Sequence, residues 1–249
     1  MKISVITINR NNAQGLKRTL ESISAQKKQF GDNVVLEHII VDGESTDDSL
    51  SQLIPALEST VISTPPRGVY DAINHGISKA TGDIIGLLHS GDVFAEDDTL
   101  ATIVGTFEQD PSLNYLWGDI TIGKRYYKGN DFTEKALKTG YAPPHPTLYM
   151  SREAVEIVGE YDVSYRVAAD FEYFIRLFKS PQLKGRYTGR CLVVMEPGGL
   201  SQKLSSRLWR NNNEKLHALR HNGIPSSLWL LMARYKNIFK GFLCSSKKK

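Results

Sequence analysis

The order of hydropathy patterns along residues 1–92 predicts an α/β fold, with a mostly parallel, doubly wound sheet flanked by helices. Three observations carry this. Apolar runs of strand length alternate with helical patterns as β-α-β-α-β-α-β. The fourth run, Ile84-Ile85-Gly86-Leu87-Leu88, shows no alternation, as suits a strand covered on both faces. Polar side chains follow every strand: Thr7 and Asn9, Asp42, Arg67, and Asp92. Ligands of open parallel sheets bind beyond the carboxyl ends of the strands, and structural caps alone would explain one or two such ends, not all four.

Residues 3–8 read as the first strand and Asn9-Arg10-Asn11-Asn12 as its loop. A helix follows with Leu16, Leu20 and Ile23 on one face. Residues 36–41 form the second strand, running into Asp42-Gly43-Glu44-Ser45-Thr46-Asp47-Asp48. Ser45 or Thr46 suits the N-cap of the next helix, and Asp47 and Asp48 suit its positive end. Residues 61–63 are a short third strand ahead of Pro65 and Pro66. Ala72, Ile73, Gly76, Ile77 and Ala80 then recur at helical spacing, and Gly82 ends that helix. The fourth strand spills into His89-Ser90-Gly91-Asp92. Asp92 has two readings, a cap for the helix starting near Asp97 or a ligand-binding carboxylate. The other strand ends favour the second.

The second half is less regular. Residues 98–109 pattern as a helix, 115–120 as a strand and 121–130 as a hairpin. Residues 142–147 hold three prolines, which exclude a helix. Ser151 caps a short helix that Gly159 ends. A further helix begins near Ala169, with Phe171, Phe174, Ile175 and Phe178 toward the core and Asp170 in its first turn, outside the apolar stripe. Residues 192–195 are a late strand before Gly198-Gly199-Leu200-Ser201. Residues 203–249 pattern as a helical tail with Leu228, Leu231, Tyr235, Ile238 and Phe242 on one face. This tail suits a membrane surface or a helix packed on the body; Trp229, Phe242 and the basic cluster favour the membrane.

Composition narrows the class. The 249 residues carry a net charge of +4. From Lys215 onward there are eight basic residues and no acidic one, so residues 1–214 carry −4. A basic tail on a mildly acidic body fits an anionic surface, not a nucleic-acid-binding body. Cys191 and Cys244 make neither a disulfide framework nor a metal spacing. With no signal-peptide pattern and no apolar run of membrane-spanning length, a reduced, cytoplasmic setting is expected. The first strand-to-helix loop matches neither the dinucleotide fingerprint nor a P-loop, which disfavours NAD and P-loop chemistry.

With these residues in view, roughly residues 1–200 resemble glycosyltransferase family 2, whose catalytic domain has the GT-A fold. Five segments carry the resemblance: residues 4–9, residues 40–48, the run from Arg67 to Ile77, Ala169-Asp170, and Gly198-Gly199-Leu200-Ser201. The run from Arg67 resembles the branch that builds bacterial surface polysaccharide (capsule, exopolysaccharide or O-antigen). The resemblance implies that residues 1–95 hold the nucleotide-sugar and residues 96–200 the acceptor, with 201–249 as a basic amphipathic appendage. It assigns Asp42 to the nucleotide base, Asp92 to the metal and Asp170 to the catalytic base. It gives Thr7 and Asn9 to the base-and-ribose loop, and extends the donor side over Arg10, Arg67, Asp71, Asn74, Ser90 and Gly91. One departure stands out. Relatives often read Asp-x-Asp-Asp where this chain reads His89-Ser90-Gly91-Asp92, with a single carboxylate.

The implied chemistry is transfer of a sugar, with inversion, from a nucleotide-sugar to a hydroxyl of a saccharide or lipid-linked saccharide. UDP is favoured by family habit. Mn²⁺ or Mg²⁺ would neutralise the leaving diphosphate, and Asp170 would take the acceptor proton. Arg67 is placed to meet the diphosphate. His145, in the proline-rich loop, is structural, acceptor-binding or a metal ligand. Trp117 and Asp119 line the acceptor side, with Trp117 equally suited to the core. Two other readings remain, a sugar nucleotidyltransferase and a non-catalytic sugar-nucleotide-binding protein. The first wants a glycine-rich basic loop that residues 9–15 lack; the retained Asp92 and Asp170 argue against the second.

Overall fold

The computed structural model describes residues 1–31, 33–130, 132–196 and 206–232. Nine strands form one sheet: β1 (Lys2–Asn9), β2 (Val35–Asp42), β3 (Thr60–Ser63), β4 (Ile84–Leu87), β5 (Val93–Phe94), β6 (Tyr115–Ile122), β7 (Arg125–Tyr127), β8 (Tyr149–Ser151) and β9 (Gly185–Met195). Their order is β3-β2-β1-β4-β8-β6-β9-β5, with β7 hairpinned onto β6. The strands β3, β2, β1 and β4 are mutually parallel. The reversed β8 then stands between β4 and β6, and β9 runs parallel to β6. The expected mostly parallel sheet is observed, and its first four strands lie where their patterns placed them.

Helices cover both faces. Helices α1 (Ala13–Lys27) and α3 (Thr99–Gln109) bury Leu16, Leu20, Ile23, Leu100, Ile103 and Phe107 against one face. Helices α2 (Val69–Lys79), α5 (Arg152–Val158) and α6 (Ala169–Lys179) bury Ile73, Ala154, Phe171 and Phe174 on the other. Successive residues of β1 supply the two cores, Val5 to the first and Ile6 to the second. This double burial is why the strands read as unbroken apolar runs. Gly76 lets α2 sit close on β1, because a Cβ there would run into Ile6.

Several expectations are corrected. The helix expected after Asp47 is a pair of 3₁₀ turns, Asp48–Gln52 and Pro55–Leu57. Asp47 caps the first, and Pro55 stops any α-helical continuation. His145–Thr147 is likewise a 3₁₀ turn. The strand expected at 192–195 begins at Gly185. Strands β5 and β8, and the short helix α4 (Glu134–Lys138), add to the second half.

The tail is not one continuous helix over its described part. Helix α7 (Ser206–His221) ends at a turn with Gly223 at φ +71°, and a new helical turn starts at Leu228. Ala218, Leu219, Ile224 and Leu231 are buried in the same core as Phe171 and Phe174. The described part therefore packs on the body. Tyr235, Ile238, Phe242 and the terminal lysines lie outside the described residues, as does Gly198-Gly199-Leu200-Ser201.

Candidate active site

The carboxyl ends of β1 and β2 form the first wall. Parallel register places Asn9 beside Asp42. Asn9 Nδ2 donates to Asp42 Oδ1 at 2.8 Å, Ser45 Oγ donates to the same oxygen at 2.7 Å, and the Ser45 amide donates to Oδ2 at 2.8 Å. Asn11 returns the link through its Oδ1, which accepts from the Thr46 amide at 2.7 Å. Two polar loops are thereby zipped into one rim. Asp42 is almost wholly buried, and Asn9 Oδ1, also buried, has no hydrogen-bond partner. Arg10 is exposed and lies along Gly43, while Arg67 is exposed just past β3.

Thr7 lies below this rim. Its side chain is fully buried and its Oγ1 is 3.0 Å from His38 Nε2. Burial holds the His38 imidazole down at about 4. The Thr7 hydroxyl is therefore engaged with His38 beneath the rim and not presented at it.

The loop after β4 forms the second wall. It follows β1, with the Leu88 and Ser90 amides donating to the carbonyls of Ile6 and Ile8 at 3.0 and 3.1 Å. Thr19 of α1 pins it. The Thr19 hydroxyl donates to Asp92 O at 2.7 Å and accepts from the Gly91 amide at 3.0 Å. Gly91 adopts φ +104°, a conformation that favours glycine. Ser90 Oγ donates to Asn12 O at 3.3 Å. The Asp92 side chain does not cap α3, whose N-cap is Asp98. Asp92 is 5% exposed, and its Oδ2 is buried without a partner. Burial first, then the nearby Glu196 charge, push its carboxyl up to about 7.

A third wall comes from α2 and α6. Asp170, half-buried in the first turn of α6, accepts from the Phe171 amide at 2.8 Å. The Tyr70 hydroxyl of α2 donates to Val167 O at 2.9 Å and to Asp170 Oδ1 at 3.3 Å. Glu214 of α7 accepts from the Val167 and Ala168 amides through Oε2, at 2.8 and 3.0 Å. The backbone entering the Asp170 helix is thus held by a side chain of the tail.

Between Asp92 and Asp170 runs an aromatic and imidazole cluster. The His89 and His145 rings are 6.1 Å apart, and His145 Nε2 lies 2.8 Å from the Tyr161 hydroxyl. Tyr161 stacks on Tyr173 at 4.1 Å and on Tyr70 at 6.0 Å. Burial, with His145 adding to it, drives His89 down to about 3. Burial also lowers His145, against the opposing pull of the Asp170 charge.

Three site residues expected from the sequence have other employment. Asn74 Nδ2 donates to Tyr161 O at 2.8 Å, and its Oδ1 accepts from Tyr161 N at 2.9 Å, so the amide braces α2 against the chain before α6. Trp117 is a core residue. It stacks on Tyr115, packs edge-on to Phe132 and donates from Nε1 to Gly129 O at 2.6 Å. Asp119 is buried and accepts from Tyr126, Tyr187 and the Gly129 amide at 2.6 to 2.7 Å. Burial raises its carboxyl, but those three donors outweigh burial and leave it lowered. Asp119 fastens the β6–β7 hairpin to β9. Asp71, by contrast, sits half-buried in the first turn of α2, and its buried Oδ2 lacks a hydrogen bond.

Tyr70, Glu196 and Glu214 were not singled out from the sequence, and Ser45 was read only as an N-cap. Ser45 and Tyr70 lay inside segments that were singled out. Glu196 and Glu214 carry no local signal, because only tertiary packing brings them to the site.

The residues present fit a divalent cation. Asp92 Oδ2 is a hard oxygen donor, buried and unsatisfied, in a position where an uncompensated carboxylate is costly. Among the described residues no three His, Cys, Asp or Glu side chains gather into a metal cage, so such an ion would share its coordination with donor phosphates.

A mostly parallel sheet of this order, flanked by helices on both faces, matches the fold of GT-A glycosyltransferase structures. The glycosyl transferase family 2 model matches residues 4–178, and the chain belongs to that family. An uncharacterized glycosyltransferase of Mycobacterium tuberculosis is 34% identical over 181 residues, covering 70% of this chain and 68% of that protein. A PGL/p-HBAD biosynthesis glycosyltransferase of Mycobacterium bovis is 31% identical over 208 residues, covering 81% and 79%. Among solved structures, S. aureus TarS 1–349 with UDP-GlcNAc superposes with a TM-score of 0.69 at 17% identity, covering 89% of this chain and 65% of that one. The mannosyltransferase PcManGT of Pyrobaculum calidifontis, with GDP-Man and Mn²⁺, gives 0.63 at 20% identity, covering 90% and 65%. Among the described residues no helix is long and apolar enough to cross a membrane.

Proposed function

We propose that this chain transfers a sugar, with inversion, from a UDP-sugar to a hydroxyl of a saccharide or lipid-linked saccharide in bacterial surface-polysaccharide synthesis. The observation that carries the reading is the buried, unpartnered Asp92 carboxylate at the strand edge it shares with Asn9 and Asp42. The neighbours with UDP-GlcNAc and GDP-Man, and the two mycobacterial relatives, support donor class and reaction type.

In this mechanism residues 1–95 bind the donor. Asn9 and Asp42 present the rim for the nucleotide base, with Arg10 flanking it. Exposed Arg67 would meet the diphosphate, and Asp71 in the first turn of α2 belongs to the donor side. Asp92 would hold Mn²⁺ or Mg²⁺, which when bound acts as a Lewis acid on the phosphates. Residues 96–200 receive the acceptor. Asp170 takes the proton from its hydroxyl as that oxygen attacks the anomeric carbon. The bond to the nucleotide diphosphate breaks on the opposite face, so the configuration inverts. Tyr70 keeps Asp170 in place, and His145, held against the Tyr161 hydroxyl, stands on the acceptor side. The tail, 201–249, supplies peripheral contact with an anionic cytoplasmic membrane face. Trp209 and Trp229, 60% and 85% exposed, and the basic run beyond them support this. Failure to co-sediment with anionic vesicles would remove the membrane part.

The test is release of nucleotide diphosphate from a panel of UDP-, GDP- and dTDP-sugars, with and without Mn²⁺. Metal-dependent release from one UDP-sugar is expected. Asp170→Asn should retain donor binding by thermal shift and lose transfer. Pyrophosphate release from a nucleoside triphosphate would instead identify a nucleotidyltransferase, and donor binding without turnover a non-catalytic protein.

A further inference from the structure

We propose that Glu196, at the end of β9, is a second carboxylate for the divalent cation and forms with Asp92 the grip that the single-carboxylate loop after β4 lacks. The proposal rests on the metal reading above. The two residues are 104 positions apart in the chain, and the sheet brings them together. Strands β5 and β9 pair antiparallel, Val93 opposite Val194. Extending that register two residues beyond β5 leads to Gly91 and Glu196.

The side chain takes the position this register offers. Glu196 Oε2 lies 3.4 Å from where a Cβ on Gly91 would stand. Its other oxygen, Oε1, is ion-paired with Arg18 of α1. One oxygen is therefore anchored, and the other is turned toward the loop that carries Asp92. Gly91 helps in two ways. Its φ of +104° shapes the loop, and the missing side chain leaves the Glu196 carboxylate against bare backbone.

The independent pointer to a ligand is Asp92 itself, 5% exposed, with Oδ2 buried and unpartnered. Glu196 stands against Gly91, the residue before Asp92, so a second carboxylate flanks the buried one. A buried carboxylate with a like charge beside it is a costly arrangement that a cation reverses. Mn²⁺ and Mg²⁺ favour carboxylate oxygens of this kind and complete their shells with phosphate and water. The carboxylate missing from the β4 loop is in this reading supplied by a distant strand, with Arg18 orienting it.

The experiment titrates Mn²⁺ into the full chain, following free Mn²⁺ by electron paramagnetic resonance, with and without UDP. Glu196→Gln is isosteric at a half-exposed position and keeps the fold, which its circular dichroism would verify. Its Mn²⁺ Kd should rise at least about tenfold, given that losing even an outer-shell partner commonly costs 10–100-fold. Glu196→Asp should fall between Gln and wild type. Equal Mn²⁺ affinity in wild type and Glu196→Gln would overturn the proposal and leave the metal reading standing. No Mn²⁺ binding by wild type, even with UDP, would overturn both.

Discussion

Replacing Asn74 by Ala separates a brace from a donor contact. The Asn74 amide makes both of its hydrogen bonds to the backbone of Tyr161, at 2.8 and 2.9 Å. A typical intramolecular hydrogen bond contributes about 0.5–1.5 kcal/mol, and a buried group left unpaired costs about 1–3 kcal/mol. The site is only partly buried, so water recovers part of the loss. The expected cost is about 2–3 kcal/mol. With a urea slope of about 2–3 kcal/mol per molar for a chain of this size, the unfolding midpoint should fall by roughly 1 M. Urea titration followed by far-ultraviolet circular dichroism measures this, and the KM for the donor should stay within about twofold of wild type. An unchanged midpoint with a donor KM raised tenfold or more would refute the brace and return Asn74 to the donor site.

Two more expectations follow from the same geometry. The Asp92 carboxyl is raised to about 7, so the stability it contributes is complete below about pH 4, the unfolded value, and is lost as pH rises through 7. The metal-free wild type should therefore lose stability relative to Asp92→Asn over that interval, as urea midpoints at pH 4.5, 6 and 8 would show; parallel curves would contradict it. Replacing Glu214 by Ala frees the Val167 and Ala168 amides. It should lower kcat several-fold more than it raises the donor KM, whereas a purely structural role would lower the yield of folded protein and leave kcat of the folded fraction intact.

The legible parts were those with a local cause. Strands β1 to β4 and the faces of α1, α2, α3 and α6 follow from side-chain period and double burial, both visible within ten or fifteen residues. Asp42 and Asp92 could be placed at the sheet edge because one ends a buried strand and the other closes the short loop after one. Strand β8 is three residues long, too short for any period to show. Trp117 and Asp119 read like site residues because an aromatic and an acidic side chain stand out within an otherwise apolar strand. Their partners, Gly129, Tyr126 and Tyr187, are set by a hairpin and by β9. Thr7 was misplaced by one pleat, since it turns inward to His38 while Asn9, two residues on, meets Asp42. The Tyr70–Asp170 contact spans 100 residues and exists only once α2 and α6 share a core.

The reversed strand β8 also bears on how the chain is made. Strand β4 is complete at residue 87, yet the strand that covers its outer edge begins at residue 149. At ribosomal speeds of about 5–20 residues per second, that edge waits roughly 3–12 s. During the wait the backbone of Ile84, Ile85 and Gly86 offers an unpaired template to any neighbouring nascent chain. The first four strands are assembled early, and the edge of β4 stays adhesive until residues 149–151 arrive. Synthesis of this chain thus has a window in which an apolar edge exists before the strand that covers it.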